Sequence, residues 1–290
     1  MSDPRPDQAP GWVVPAMRLG YSARAVVYVI MGCLALAAAW SGGEAEGQSG
    51  VMDQIRGWPM GTLLLWVIGL GLLCYAVWRF ICAGMDLEDR GHDGEGIIAR
   101  IGQTVTGAIH AALGVSAIRA AMGGGSGGGE NGDGRVQDWT QMVLEMPGGR
   151  WIVGIGALIV IGAGIFYAWK GYKEKFRDYL IATPRMEKLV PWAKLGLYAF
   201  GFILGMIGVF LMFAALRGNP AEAGGFGQAF ETIRAQSYGQ FLLTIVALGM
   251  ICYAVYNVIE AAYRVVPRAA DDSIRTLADK ARAEAKKATT

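Results

Sequence analysis

Residues 18–40 read RLGYSARAVVYVIMGCLALAAAW, and the chain makes the same statement twice more. Arg18-Leu19-Gly20, Arg100-Ile101-Gly102 and Lys194-Leu195-Gly196 each open a long apolar run, and each run carries a second glycine twelve residues on, at Gly32, Gly114 and Gly208. A fixed-order repeat marks one structural unit used again. The unit here is a pair of membrane helices.

The composition leads to the same class. In 290 residues, 53% are hydrophobic and 17% charged, with a mean hydropathy of +0.35. That leaves too little polar surface for a soluble domain of this size. Six stretches are long enough to cross about 30 Å of hydrocarbon at about 1.5 Å per residue: Ser22 to Trp40, Gly61 to Ile81, Gly102 to Met122, Trp151 to Lys170, Leu195 to Leu216 and Phe241 to Ala262. Trp40, Trp58, Trp78, Trp151, Trp169 and Trp192 fall near span ends, where an indole buries its ring and keeps its N–H at the headgroups. Arg18 and Arg24 ahead of an apolar stretch ending in Ala37-Ala38-Ala39 resemble a signal peptide. The repeat argues against cleavage, because removal of the first span would halve one unit. Cys33, Cys74, Cys82 and Cys252 lie in or beside apolar spans, and no disulfide is expected.

Lysine and arginine counts orient the chain. The N-terminal region with the first span, the second loop, the fourth loop and the C-terminal tail hold 20 of them; the first, third and fifth loops hold six. Basic flanks stay cytoplasmic, so both termini are expected inside.

Aligned on their glycines, the first helices superpose Ala25, Gly107 and Gly201; Val29, Ala111 and Gly205; Gly32, Gly114 and Gly208; and Ala39, Ala121 and Ala215. Steps of four, three and seven put these on one helical face. Small residues let backbones approach where lipid removes the hydrophobic drive between helices. Gly32, Gly107, Gly114, Gly201, Gly205 and Gly208 are therefore the expected packing residues. In the second helices Gly71, Gly162 and Gly249 stand seven residues before Trp78, Trp169 and Tyr256, each followed by Arg79, Lys170 or Asn257. An aromatic and then a polar residue read as an interfacial anchor with a snorkelling head. Val51 to Trp58, Val136 to Met146 and Phe226 to Ala235 read as short amphipathic helices lying on the outer surface or capping the bundle. The Gly123 to Gly134 run is a flexible linker by composition. It lacks the order of a phosphate-binding loop, so neither nucleotide nor nucleic acid is expected as a partner.

These motifs resemble a bacterial family known as domain of unknown function 1206, whose members carry a two-helix unit three times. The resemblance rests on the Arg/Lys-Leu/Ile-Gly openers, the Gly20/Gly32 spacing and its copies, and Tyr75-Ala76-Val77-Trp78-Arg79 with its counterparts Phe166-Tyr167-Ala168-Trp169-Lys170 and Tyr253-Ala254-Val255-Tyr256-Asn257. It spans about residues 17 to 266 and implies the fold, with a bacterial inner-membrane location. It implies no activity.

Candidate chemistry is sparse. His110 is the one histidine inside a span, and a titratable group at that depth is a functional hypothesis; it aligns with Tyr28 and Leu204. With His92 in a loop, one chain lacks the two membrane histidines of a bis-histidine haem, and no cofactor is expected. Asp86, Glu88, Asp89, His92, Asp93 and Glu95 crowd the second loop but lack a metal-site spacing, and read as a solvated connector rather than a metal site. Arg24 and Arg119 read as snorkelling cations; Glu260 is placed to pair with Arg79 or Lys170. No GxSxG, HExxH or paired carboxylates occur in a span, so no catalytic residue is assigned and no enzyme is expected.

The expected architecture is all-α, with six transmembrane helices as three tandem repeats in approximate threefold pseudo-symmetry. The divisions are a tail at 1–16, repeats at 17–90, 91–182 and 183–266, and a C-terminal tail at 267–290 with an amphipathic helix from Asp271 to Lys287. The first functional reading is a non-enzymatic scaffold or accessory subunit, its partners the bilayer and a membrane protein or a second copy. The alternative is a channel or transporter for a small solute or proton. Under it, Tyr28, His110, Arg119 and Asn257 should line a cavity between the repeats.

Overall fold

The computed structural model describes residues 11–41, 46–88, 91, 93–124, 133–181 and 183–265. Among them six long helices are apolar enough to cross a membrane: α1 (Val13–Ser41), α3 (Gly61–Met85), α4 (Gly94–Ala121), α6 (Gly149–Tyr172), α7 (Pro184–Arg217) and α9 (Gly239–Tyr263). Three short helices, α2 (Gln48–Arg56), α5 (Gly134–Leu144) and α8 (Phe226–Arg234), each precede the second long helix of a unit. No strand occurs among the described residues beyond one isolated antiparallel bridge, Leu180 to Arg264. The C-terminal amphipathic helix, His92 and Asp89 lie outside the described residues.

Local chemistry sets the helix ends. The Asp93 carboxylate accepts the Gly96 N–H at 2.9 Å and so caps α4. Thr183 does the same for Met186 at 3.3 Å, with Pro184 following at the first helical position. α7 stops at Gly218, whose φ of 65° suits glycine. The turns from short to long helix are tight in all three units. Gly61, Gly149 and Gly239 lie so close under the carbonyl oxygens of Ile55, Val143 and Arg234 that a Cβ would overlap them.

The long helices pack in the order α4, α3, α1, α9, α7, α6, each against the next. α1, α4 and α7 each cross the second helix of another unit at the glycine singled out by the repeat. A Cβ at Gly32 would lie 3.0 Å from the Ala247 carbonyl oxygen, one at Gly114 2.9 Å from that of Gly69, and one at Gly208 3.1 Å from that of Ala157. Gly107 faces Phe80, and a Cβ at Gly201 would lie 2.6 Å from the Gly164 carbonyl oxygen, whereas Gly205 has open space where a Cβ would go.

These crossings correct the alignment of the second helices. Gly69, Ala157 and Ala247 are equivalent in packing, as are the turn residues Gly61, Gly149 and Gly239. In that register the counterpart of Tyr75 and Tyr253 is Ala163, and that of Gly71 and Gly249 is Ile159. The Phe166 to Lys170 motif therefore sits three residues further along α6 than its resemblance to Tyr75 to Arg79 implies. The turn at Gly149 sets where the helix starts and overrides the motif.

The short helices cap the bundle at the end away from the termini. Val51, Met52 and Ile55 of α2 and Phe230 of α8 are fully buried, and α2 touches α8. Asp133 accepts the Gln228 backbone N–H at 2.6 Å, so the residue before α5 caps α8.

Candidate functional site

The interior is more polar than an anchor-and-snorkel reading allows. Arg24 is 3% exposed, at the level of Tyr75 and Tyr253. Tyr75 lies ten residues from the end of α3, roughly 15 Å along the helix axis. Arg24 therefore does not snorkel: its Nη1 donates to the Tyr75 hydroxyl at 2.7 Å and its Nη2 to that of Tyr253 at 2.9 Å. Its guanidinium also stands 4.6 Å from the Tyr75 ring centroid and within 6 Å of the rings of Tyr21, Tyr28 and Tyr253. No carboxylate lies within ion-pair distance of it among the described residues, and its Nε has no partner. A lone buried charge is costly, and four aromatic rings with two hydroxyls replace only part of its hydration.

From Arg24 a continuous network runs toward the end of the bundle that carries the termini. The Tyr75 hydroxyl also accepts from Arg79 Nε at 3.0 Å. Arg79 Nη1 reaches Glu88 at 3.5 Å, and Glu88 accepts from Arg264 Nη2 at 2.6 Å. Arg264 also pairs with Glu260, which accepts the Tyr256 hydroxyl; Lys170 Nζ donates to Tyr256 at 2.8 Å. Helices α1, α3, α6 and α9 and the loop after α3 are tied by this chain of bonds. Among the described residues, its cations Arg24, Arg79, Arg264 and Lys170 are linked through the carboxylates of Glu88 and Glu260.

Several expectations are corrected by this geometry. Arg79 and Lys170 are bonded inside the bundle rather than snorkelling, and Trp78 is fully buried with Arg79 and Arg264 over its ring at 4.9 and 5.4 Å. Glu260 pairs with Arg264, not with Arg79 or Lys170 directly. The second loop is not a solvated connector throughout. Asp86 and Glu88 are buried, Asp86 accepting the Gly91 N–H at 2.9 Å. The partners of Arg24 lie 51 and 229 residues away in the chain, so nothing local in the sequence announces them.

The four candidate pathway residues are not brought together. Tyr28 is packed among Phe200, Phe226 and Tyr253, with ring centroids at 5.6, 6.4 and 4.8 Å, and its hydroxyl accepts from Gln48 at 3.0 Å. His110 places Nδ1 2.8 Å from its own helix's Thr106 carbonyl oxygen and its ring 4.7 Å from that of Tyr75. Asn257 is fully buried and donates to the Tyr253 carbonyl at 2.7 Å; Arg119 is exposed near the far end of α4. An open groove of about 450 Å³ between α3 and α4, lined by Phe80, Arg100 and Thr104 among others, contains none of the four.

Packing between the two helices of a unit separates the second unit from the others. In the first unit a Cβ at Gly71 would lie 2.5 Å from Ala23 Cβ, and one at Gly20 2.5 Å from Tyr75 Cβ; in the third, Gly249 meets Ala199 and Gly196 meets the Tyr253 backbone. In the second unit α4 and α6 make no comparable contact, and Gly102 and Gly162 both face open space. Where the others have Ala23 against Gly71 and Ala199 against Gly249, this unit has Val105 and Ile159, 48% and 61% exposed. Two β-branched side chains replace an alanine–glycine pair, and the backbones stay apart.

The sequence model described as Domain of Unknown Function (DUF1206) matches residues 19–86, 101–174 and 195–264. The chain is also similar to the "Uncharacterized protein YxxB" of Bacillus subtilis (strain 168), at 30% identity over 257 residues, covering 87% of this chain and 92% of the relative. No solved structure matches it.

Proposed function

This chain belongs to the Domain of Unknown Function (DUF1206) family, and we propose that it is a non-enzymatic protein of the bacterial inner membrane, acting by association as a scaffold or accessory subunit. The observation that carries this reading is the filled centre of the bundle. Phe200 stacks on Tyr253 at 4.0 Å, Tyr28 abuts both, and Phe226 closes over them, so stacked rings occupy the region where a pathway between the repeats would run. In this reading the three units surround an approximate threefold axis and both termini face the cytoplasm, as the basic loops favour.

The test is purification of the tagged protein from native membranes in mild detergent. A defined membrane protein in fixed stoichiometry is the expected result. Solute or proton flux by the purified protein alone in liposomes, abolished by His110→Ala, would overturn it and favour the channel or transporter reading.

A further inference from the structure

At the end of the bundle that carries the termini, α6 and α7 show the same outward pattern in opposite chain order. On α6, Trp169 is followed four residues on by Lys173; on α7, Lys188 precedes Trp192 by four, and all four side chains are exposed. A four-residue step returns to one helical face and rises about 6 Å, so each cation stands one turn beyond an indole. An exposed indole marks the headgroup level of a span, and a cation one turn further out lies at the phosphates.

The two pairs border one surface. The helices meet between them, where a Cβ at Gly171 would lie 3.5 Å from the Lys194 carbonyl oxygen and Lys194 Nζ reaches Glu174 at 2.9 Å. Lys175 Nζ stands 5.0 Å from the Trp169 ring centroid and Lys173 Nζ 5.5 Å from that of Tyr172, so both ammonium groups lie beside interfacial rings. Arg185, three residues before Lys188, adds a fourth exposed cation. The Glu174 carboxylate is taken up by Arg177 and Lys194. Among the described residues, Lys173, Lys175, Arg185 and Lys188 make no ion pair, and Glu187 is the one exposed acid between positions 172 and 192. The same end of α3 and α4 is built differently: Trp78 is buried, Arg79 is bonded within the bundle, and Arg100 donates to the Ala83 and Gly84 carbonyls at 2.6 and 3.2 Å.

We infer that this face of α6 and α7 binds the headgroups of anionic phospholipids, their phosphates against Lys173, Lys175, Arg185 and Lys188 and their acyl chains along the exposed apolar side chains below the two indoles. Charge complementarity selects the occupant, because an excess of exposed cations at headgroup depth attracts an anionic lipid over a zwitterionic one. The site goes beyond the scaffold reading and does not depend on it.

The test is lipid retention. The protein is placed in nanodiscs of phosphatidylcholine with a minor share of phosphatidylglycerol, re-extracted in mild detergent, and its bound lipid identified by native mass spectrometry. Phosphatidylglycerol should be enriched about tenfold over its share in the nanodisc. Replacing Lys173, Lys175, Arg185 and Lys188 together by glutamine changes only exposed positions and should bring the enrichment to within about twofold of that share. Arg18→Gln with Arg119→Gln, at exposed cations away from this face, should leave it unchanged. Re-extraction of the unaltered chain in about 1 M salt should lower the enrichment several-fold without any mutation, because exposed charges are screened. No enrichment in the unaltered chain, equal losses in the two variants, an enrichment insensitive to salt, or a second copy of the chain bound to this face in place of lipid would overturn the proposal.

Discussion

The α1–α3 and α7–α9 seams are closed and the α4–α6 seam is open, although all three join the two helices of one repeated unit. Each closed seam has two contacts at backbone distance: Gly20 on Tyr75 with Gly71 on Ala23, and Gly196 on Tyr253 with Gly249 on Ala199. The open one keeps the opener glycine, Gly102, but loses its partners, because Ala163 and Ile159 stand where tyrosine and glycine are needed. Close approach is thus a property of residue pairs, and a glycine repeated at the same position of one helix does not secure it alone.

The contrast breaks most sharply at the opener glycines. Gly20→Leu should cost more than about 4 kcal/mol, because its Cβ meets the backbone of Tyr75, and should abolish a monodisperse peak in fluorescence-detected size exclusion. Gly102→Leu, in open space, should leave peak and midpoint unchanged. Next in size is Glu260→Gln, which leaves buried Arg264 and half-buried Lys170 with less compensating charge. A loss of about 3 kcal/mol, read as a lowered thermal midpoint in detergent, is expected. Lys170 belongs to α6, so this network bridges helices that do not share a seam.

A smaller effect comes from the capping end, where Asp133→Ala should cost about 1 kcal/mol through the lost cap on α8. Burial raises the Asp133 carboxyl above its ordinary value, an effect only partly offset by backbone N–H groups of Gln228, Gly225 and Gly227. The folded state therefore holds the proton more tightly than the unfolded one. Its contribution to stability is present below the unfolded value and is lost as pH rises through the raised one. The midpoint should gain on acidification through that window, and the gain should be absent in Asp133→Asn. Glu174 has the opposite sign. Burial favours its neutral form, but hydrogen bonds from Arg177 and Lys194 outweigh that and hold the carboxyl below its usual range. Its stabilisation is present above the unfolded value and lost as pH falls through the folded one. This site is largely solvated, and Glu174→Gln should shift stability by no more than about 0.5 kcal/mol.

The three units, the six spans and the crossing glycines Gly32, Gly114 and Gly208 are legible in the sequence because they recur in fixed order with helical spacing. The polar centre is not. An arginine in an apolar helix looks the same whether it snorkels or is caged, and only tertiary structure brings Tyr75 and Tyr253 to Arg24. The open seam was hidden for another reason. Val105 and Ile159 are ordinary membrane residues until the register of α6 is known, and the likeness of Phe166 to Lys170 to the other motifs points to a register three residues away from the one Gly149 imposes.

The most direct measurement is paired-cysteine oxidation in membranes, in protein whose two cysteines that are not buried, Cys33 and Cys74, are replaced by alanine. Ala23→Cys with Leu72→Cys, across a closed seam and one residue from the tight Ala23–Gly71 contact, should form an intramolecular disulfide, whereas Val105→Cys with Ile159→Cys should stay reduced. Rapid, complete intramolecular crosslinking of the second pair would show that α4 and α6 close on one another, and would contradict an open seam.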